Sequence, residues 1–556
     1  MLISCDSPLS PSHNELSLDA YEQLKVPTLT VHPQALREKI AVNFSGDTEL
    51  DHFLHHYYTS GKPLVWIGRD GLTSGIDTLL SHIRAVGEIG LDKERFNYSQ
   101  IEKDLNALKN YGKDSHQSLD ELIARVESNL SKTYLRYTAG QRFGFVNPSY
   151  VFNYRETTGE KGKKMVYDHK FELAVERPDS IYYQQALEQV DADHAASFIS
   201  ASMPTDPLYL QLKQKLNQSQ KGDTTSRVKY LANMERLRWK LKDDPAKHDK
   251  YVLVNIPSFR LYGVGGDTVL SMKIVCGAVG TKSPLLNSKI KRIELNPQWV
   301  MPHSIAKSLA HAGPGYFSRR NMYFVDRSGR RLSYASPEMR RKGLVSIVQR
   351  SGGGNSLGRI IFRFDNPFSV YLHHTNTPWA FSASNRAMSH GCIRLERPLD
   401  LARFVHGGDE KLQEKIAYSF SCDLSHPDSS MMVKNVQVSP EVPVYLVYYT
   451  IFAVPGTNEV VELNDIYGYD KLLVKSLSAL VSPSMRNSMK DKPQTNTAEK
   501  KETKSQPTVV KSEEKKEPKV EKQETPRPAP QEEQKSSDNK SNNAATERDG
   551  GSQTAI

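Results

Sequence analysis

Apolar positions recur at helical spacing through the first part of the chain. Ile76, Leu79, Leu80, Ile83 and Val86 fall three or four residues apart or nearby, the stripe of an amphipathic helix. Leu119, Leu122, Ile123, Val126 and Leu130 repeat the pattern, so residues 119–135 are predicted helical. Stripes of this kind are read as core rather than as ligand contacts. The texture holds from about 34 to 135. Residues 226–243 predict another helix, with Tyr230, Met234, Leu237 and Leu241 on one face. Val151-Phe152-Asn153-Tyr154 is short and strand-like.

The pattern changes after residue 250. β-rich runs at 251–256, 270–275, 360–364, 370–372 and 444–453 are broken by Gly and Pro, which predicts a β-rich domain over about 251–470. Residues 296–350 interrupt it as a long insertion with Gly313-Pro314-Gly315-Tyr316 and many basic residues. Long loops in compact domains are often lids or binding loops. Pro398 opens a predicted helix, Leu399 to Val405. Residues 1–30 are polar and spotted with Pro and Ser, as in a tether. No aromatic residue follows Tyr469, and 485–556 is dominated by Lys, Glu, Gln, Pro and Ser. Such a segment buries too little surface to offset chain entropy and is predicted to be a disordered tail.

Composition adds bounds. The 556 residues are 38% hydrophobic and 25% charged, an ordinary balance for a chain of three or four domains. No apolar stretch approaches the length of a spanning helix. The formal net charge of +10 suits either general solubility or a polyanionic partner such as a cell wall with free carboxylates. Basic residues are not interleaved with aromatics in the manner of a nucleic-acid surface, so no nucleic acid is expected. The four cysteines, Cys5, Cys276, Cys392 and Cys422, have irregular spacing and no C-x-x-C pair. Cys276 and Cys422 read as small buried hydrophobes.

The candidate chemistry lies at Ser389-His390-Gly391-Cys392, downstream of a strand-like run ending on His373. A thiolate is a nucleophile, and an imidazole takes its proton. Gly beside the Cys lets a substrate carbonyl approach a backbone N–H. Fifteen residues separate His373 from Ser389, and Ile393 and Arg394 follow the Cys.

This spacing resembles the signature of the L,D-transpeptidases. Val254-Asn255-Ile256-Pro257, Arg260-Leu261-Tyr262, Val279-Gly280-Thr281 and the run Asn296 to Pro302 resemble further blocks of that catalytic domain, as do Asn355 to Arg359 and Val442-Pro443-Val444-Tyr445. Lys62-Pro63-Leu64-Val65-Trp66 with Leu72-Thr73 is similar to the scaffold segment of the large YcbB-type subfamily, and Tyr230 to Trp239 to the helix leading into its catalytic domain.

The resemblance implies an α+β protein. An α-helical N-terminal scaffold domain (34–140) would precede a mixed β-rich catalytic domain (251–470), with a capping insertion at 300–350 and the disordered tail at 485–556. Residues 141–250 would be a linker and helical region, with a reduced or diverged peptidoglycan-binding module as one reading of 185–225. Cys392 would be the nucleophile and His373 the base, with His390 in support. Ser389, Gly391, Arg394 and Trp299 would hold substrate. A backbone carbonyl would orient the His373 ring, while His374 would point to the opposite face. The implied reaction joins peptidoglycan stem peptides by 3→3 cross-links through a Cys392 thioester, releasing D-alanine. Hydrolysis of the same thioester and a non-catalytic wall-binding scaffold are the alternatives. No cofactor and no metal are expected, and His303 and His311 read as surface residues. Peptidoglycan synthases are candidate partners. Leu2-Ile3-Ser4-Cys5 resembles a lipobox, so Cys5 is a candidate lipidation site and the only expected membrane attachment. Only four residues precede it, too few for an export signal. The expectation is a bacterial periplasmic or envelope protein whose export signal is not visible in this chain.

Overall fold

The computed structural model describes residues 33–488, apart from 69–70, 112–114, 160–161 and 221. The tether at 1–30, Cys5 and the tail beyond 488 lie outside the described residues. Helices occupy most of the chain up to Arg238, and strands dominate from Lys250, so the molecule is α+β.

The helical part is built around one long helix. α1 (Pro33–Val42), α2 (Glu49–Thr59), the short hairpin β1 (Ile67–Gly68) and β2 (Gly71–Leu72), α3 (Gly75–Arg84) and α4 (Tyr98–Lys109) precede α5 (Leu119–Phe143). Every residue of the two predicted stripes is buried. α5 runs on to Phe143 because Tyr134, Tyr137 and Phe143 continue its buried face. Its buried Glu127 accepts hydrogen bonds from Tyr58 Oη (2.8 Å), Val65 N (2.7 Å) and Trp66 N (3.1 Å). One carboxylate thereby pins the segment 62–66 to the helix. Burial pushes the Glu127 carboxyl up to about 7.

Residues 147–154 differ from the strand-like reading. Asn147 caps a helical turn, α6 (Pro148–Asn153), by accepting from Ser149 N, and Pro148 has the φ that a first helical position needs. Strand structure begins only at Tyr154, in the hairpin of β3 (Tyr154–Gly159) and β4 (Gly162–Tyr167). β5 (Phe171–Glu172) follows, then α7 (Ser180–Asp191), α8 (Ala195–Ser202), α9 (Pro207–Gln218) and α10 (Thr224–Arg238).

α10 stops short of the expected Asp243. Beyond Trp239 the backbone pairs instead with 174–176: Glu176 N donates to Lys240 O and Lys242 N to Ala174 O (both 2.8 Å). Leu241 therefore sits on an isolated bridge opposite Val175 rather than on a helix face. Of the four residues expected on one face only Met234 is fully buried. α10 is covered on several sides, and its buried polar groups are paired: Arg236 with Asp470 (2.5 Å), Arg238 with Glu235 (3.0 Å).

The β-rich part is a closed ring of eight strands. β6 (Lys250–Asn255), β7 (Arg260–Gly265), β8 (Thr268–Gly277) and β9 (Leu285–Leu295) come first. The chain then leaves the ring through β10 (Trp299–Val300), α11 (His303–Ser308), α12 (Pro314–Ser318), β11 (Met322–Asp326), β12 (Arg331–Leu332), α13 (Pro337–Arg341) and β13 (Val345–Gln349). It returns as β14 (Ile360–Phe364), β15 (Leu372–His373), β16 (Ala387–Ser389), β17 (Ile393–Leu395), α14 (Pro398–His406), α15 (Glu410–Ser421) and β18 (Asn435–Val447). The ring order is β14-β15-β17-β8-β7-β6-β18-β9, closed by β9 against β14. β5 adds to β9, and β16 to β8.

The insertion is a folded unit rather than a long loop. Its strands form a sheet of order β10-β13-β11-β12 over a separate core of Met301, Ala306, Phe317, Phe324, Ala335, Val345 and Ile347. The Arg340 guanidinium is buried there on the carbonyls of Ala310, Ala312 and Ala335. Alternating apolar residues at 322–326 and 345–349 supply what a structureless insertion would lack.

The expected run 444–453 is two strands. β18 ends at Val447, because Asn255 Oδ1 captures Tyr449 N (2.9 Å) and Asn233 Oδ1 captures Thr450 N and Ile451 N (3.1 Å each). β19 (Ile451–Ala453) then pairs with β20 (Val460–Glu462). Past Tyr469 the chain is still structured, in α16 (Tyr469–Ser476) and α17 (Pro483–Ser488), where Leu480 O accepts from Asp92 N (2.8 Å). No helix among the described residues is long and apolar enough to cross a membrane.

Candidate active site

β15 and β17 lie side by side and parallel, with Leu372 opposite Ile393 and His373 opposite Arg394. Leu372 and Ile393 are fully buried in the ring. Pleating therefore turns His373 and Arg394 to the other face. Cys392, two residues before Arg394, shares that face, and Ile393 N–H still holds register on Tyr371 O (3.0 Å). Diagonal neighbours on one face lie on the order of 7 Å apart. Strand register thus places Cys392 and His373 on one face, across the fifteen residues between His373 and Ser389.

His373 is buried, and its Nδ1 lies 2.5 Å from His374 O and 3.3 Å from Leu357 O. Carbonyls only accept, so Nδ1 carries the proton and Nε2 keeps its lone pair. Burial, followed by the charge of Arg394, lowers the His373 pKa to about 4, against the opposing pull of the two carbonyls. The ring is a neutral acceptor at neutral pH. His374 turns the other way, its Nδ1 accepting from Arg359 N (3.2 Å) and its ring edge-on to Phe420.

Cys392 is half-buried, with Sγ 4.0 Å from Ser369 O. Burial raises the thiol pKa; a backbone hydrogen bond at Tyr371 and the guanidiniums of Arg394 and Arg363 pull the other way and do not overcome it. Thiol and imidazole are therefore both neutral at rest.

Ser389 is buried and shapes the turn rather than facing a ligand. Its Oγ accepts from Gly391 N (3.1 Å) and donates to Cys392 O (2.6 Å). Its carbonyl accepts from Ala278 N (2.9 Å) and Thr281 Oγ1 (2.7 Å). Gly391 has φ +120°, a conformation that side chains rarely adopt, although space exists for a Cβ. Its N–H is already spent on Ser389. Cys392 N, with no partner among the described residues, is the better candidate for an oxyanion donor.

Residues without a sequence signal support this turn. Ser283 Oγ donates to Gly391 O (2.7 Å) and accepts from Gly277 N (2.9 Å). Tyr467 Oη donates to Gly277 O (2.6 Å) and accepts from Ser283 N (3.2 Å). Nearly two hundred residues separate Tyr467 from Gly277, and no local pattern announces such a partner. Tyr467→Phe leaves two buried backbone groups unpaired, a loss of about 1–3 kcal/mol. A lower thermal unfolding midpoint together with slower turnover is the expected outcome, checked by calorimetry and rate measurement on one preparation.

The start of β15 had a readable cue. Asn366-Pro367 is a turn signal. Asn366 Oδ1 accepts from Phe368 N and Val370 N (3.1 Å each), and Ser369 takes φ +53°. This turn delays the strand to Leu372 and brings Ser369 O to the thiol.

The remaining candidates divide. Arg394 is half-buried beside His373 and spends one donor on Thr377 Oγ1 (3.1 Å). His390 is exposed at the turn's tip. Trp299 is half-buried against the insertion's own core. Cys276 is buried, Cys422 only partly so, in contact with Met432 Sδ (3.5 Å). His303 and His311 are exposed. Among the described residues no group of three or more His, Cys, Asp or Glu is placed to hold a metal ion.

Two family models match the chain. The L,D-transpeptidase catalytic domain, YkuD, covers residues 249–416, and the Scaffold domain covers 52–216. The chain therefore carries an L,D-transpeptidase catalytic domain. Together with the scaffold domain this is the domain pair found in the large YcbB-type L,D-transpeptidases. A protein of Haemophilus influenzae named "Putative L,D-transpeptidase" is 27% identical over 308 residues, 53% of this chain. The chain spans 59% of that relative's length. Among solved structures, an L,D-transpeptidase from Mycobacterium smegmatis matches at 14% identity over 36% of this chain and 58% of its own, with a TM-score of 0.18. The Ldtfm-avibactam carbamoyl enzyme matches at 11% identity over 57% of this chain and 80% of its own, also with a TM-score of 0.18.

Proposed function

We propose that the protein is a cysteine L,D-transpeptidase that forms 3→3 cross-links between peptidoglycan stem peptides in the cell envelope. The observation that carries this is the parallel register of β15 and β17, which sets His373, Arg394 and Cys392 on one face.

In this reading Cys392 Sγ attacks the carbonyl between the diamino acid and the terminal D-alanine of a tetrapeptide, and His373 Nε2 takes the thiol proton. Cys392 N–H stabilises the oxyanion, an effect of about 3 kcal/mol per donor. The C–N bond breaks, His373 returns the proton to the departing D-alanine amine, and a Cys392 thioester remains. A side-chain amine of a second stem attacks the thioester. Its surplus proton passes through His373 to Sγ as the thiol is restored. Arg394 offers its remaining donors to a substrate carboxylate. The insertion's neck adjoins this site: Leu357 O accepts from His373, and Gly354 O from Asn376 Nδ2 (3.0 Å). That continuity supports a capping role for the 300–350 unit. Residues 34–140 serve as scaffold.

Incubation of the purified protein with disaccharide-tetrapeptide tests the reading. Cross-linked dimer and free D-alanine in equal amounts are expected, with a transient acyl adduct on Cys392 by intact-mass spectrometry. Tripeptide without dimer would mean that water, not an amine, resolves the thioester.

A further inference from the structure

Five rings run in unbroken contact from the β3–β4 hairpin to the edge of the candidate site. Tyr150 meets Tyr154 at 5.1 Å between centroids, Tyr154 meets Tyr167 at 5.3 Å, Tyr167 meets His169 at 5.4 Å, and His169 meets Phe368 at 4.5 Å. Phe368 directly precedes Ser369, whose carbonyl is the one beside Cys392 Sγ. The tyrosines are not core. Tyr150 is 61% exposed, Tyr167 55% and Tyr154 38%. β3 and β4 pair only with each other among the described strands, so no further strand covers them.

The row of partly exposed tyrosines offers solvent aromatic surface together with hydroxyls. That surface suits a ligand with alternating C–H faces and hydroxyl rims, which describes the pyranose rings of a glycan. Successive sugars in a strand are spaced by about one ring length, the same order as the steps between these side chains. A lipid surface would call for bulky aliphatic anchors, and of these the described hairpin exposes Met165. The ladder ends where a stem peptide would have to arrive, and stem peptides are carried on glycan.

We infer that the Tyr150–Tyr154–Tyr167–His169–Phe368 ladder is a stacking platform for the amino-sugar strand that carries the stem peptide to Cys392. The identity of the sugar polymer rests on the transpeptidase reading; the exposed rings do not.

The full-length protein and a Tyr154→Ala/Tyr167→Ala variant separate the outcomes. Calorimetric titration with glycan strands stripped of peptide is expected to show binding by the parent and affinity about tenfold weaker in the variant. Turnover of glycan-borne tetrapeptide should show a raised KM with unchanged kcat, and turnover of sugar-free tetrapeptide should not change. Tyr154→Phe/Tyr167→Phe keeps the rings and should restore binding, which controls for folding. The inference is overturned if the parent does not bind stripped glycan, if the alanine variant binds as the parent does, or if both substrates slow equally. Repeating the titration in a Cys392→Ala background keeps the two readings distinct. Loss of glycan binding with the tyrosines would stand even if Cys392 proved irrelevant to turnover.

Discussion

Cys392→Ala is expected to slow dimer formation from disaccharide-tetrapeptide by about a thousandfold or more, since loss of a nucleophile removes a covalent route that binding alone cannot replace. The substitution deletes one sulfur from a half-buried position whose contact with Ser369 O is a weak one at 4.0 Å. Ser389, Gly391, Ser283 and Tyr467 hold the turn through bonds that do not involve Sγ. The fold should therefore survive with an unfolding midpoint near that of the parent, while the acyl adduct disappears. Cys276→Ala is the matched control: it removes a buried thiol that burial pushes up to about 12, and turnover should be retained. A Cys392→Ala protein that keeps a rate within tenfold of the parent would end the cysteine mechanism.

The two halves of the site differ in how far the sequence announces them. Cys392, His373 and Gly391 are legible because chemistry restricts which residue types serve, and the spacing can be matched to a family. The helical stripes around 76–86 and 119–130 are legible because period alone sets the buried face. What escapes is anything decided by side chains capturing backbone over long range. Asn233 and Asn255 end β18 early, and Asn366 delays β15; each is an unremarkable polar residue until its partner is in place. α10 departs from the single-face expectation for a related reason. A helix covered on several sides has no single apolar stripe, and its Arg236 and Glu235 are buried because Asp470 and Arg238 meet them. Ser389 shows the same limit in the site. Its residue type fits a substrate contact as well as a turn, and only the bonds to Gly391 N and Cys392 O decide between them.

His373→Gln is expected to lower kcat by about a hundredfold to ten-thousandfold, the usual contribution of a placed general base. Glutamine Nε2 can still donate to His374 O or Leu357 O, so the side chain keeps its anchor and loses only the ability to take a proton. The pH dependence identifies the group. With the His373 pKa lowered to about 4, the acid limb of kcat/KM in the parent should fall near pH 4 rather than near the ordinary histidine value of about 6.5. Stability carries the same signature. Between about pH 6.5 and 4 the unfolded chain binds a proton at residue 373 that the folded chain refuses, so stability decreases as pH falls through this window. The decrease is on the order of 3 kcal/mol and is complete below the folded-state pKa. Glutamine does not titrate, so the variant should lose this acid-dependent decrease while every other group keeps its own. Denaturant unfolding at pH 7 and pH 4 on both proteins measures it. An unchanged difference between the two pH values would mean that His373 is not held neutral by burial.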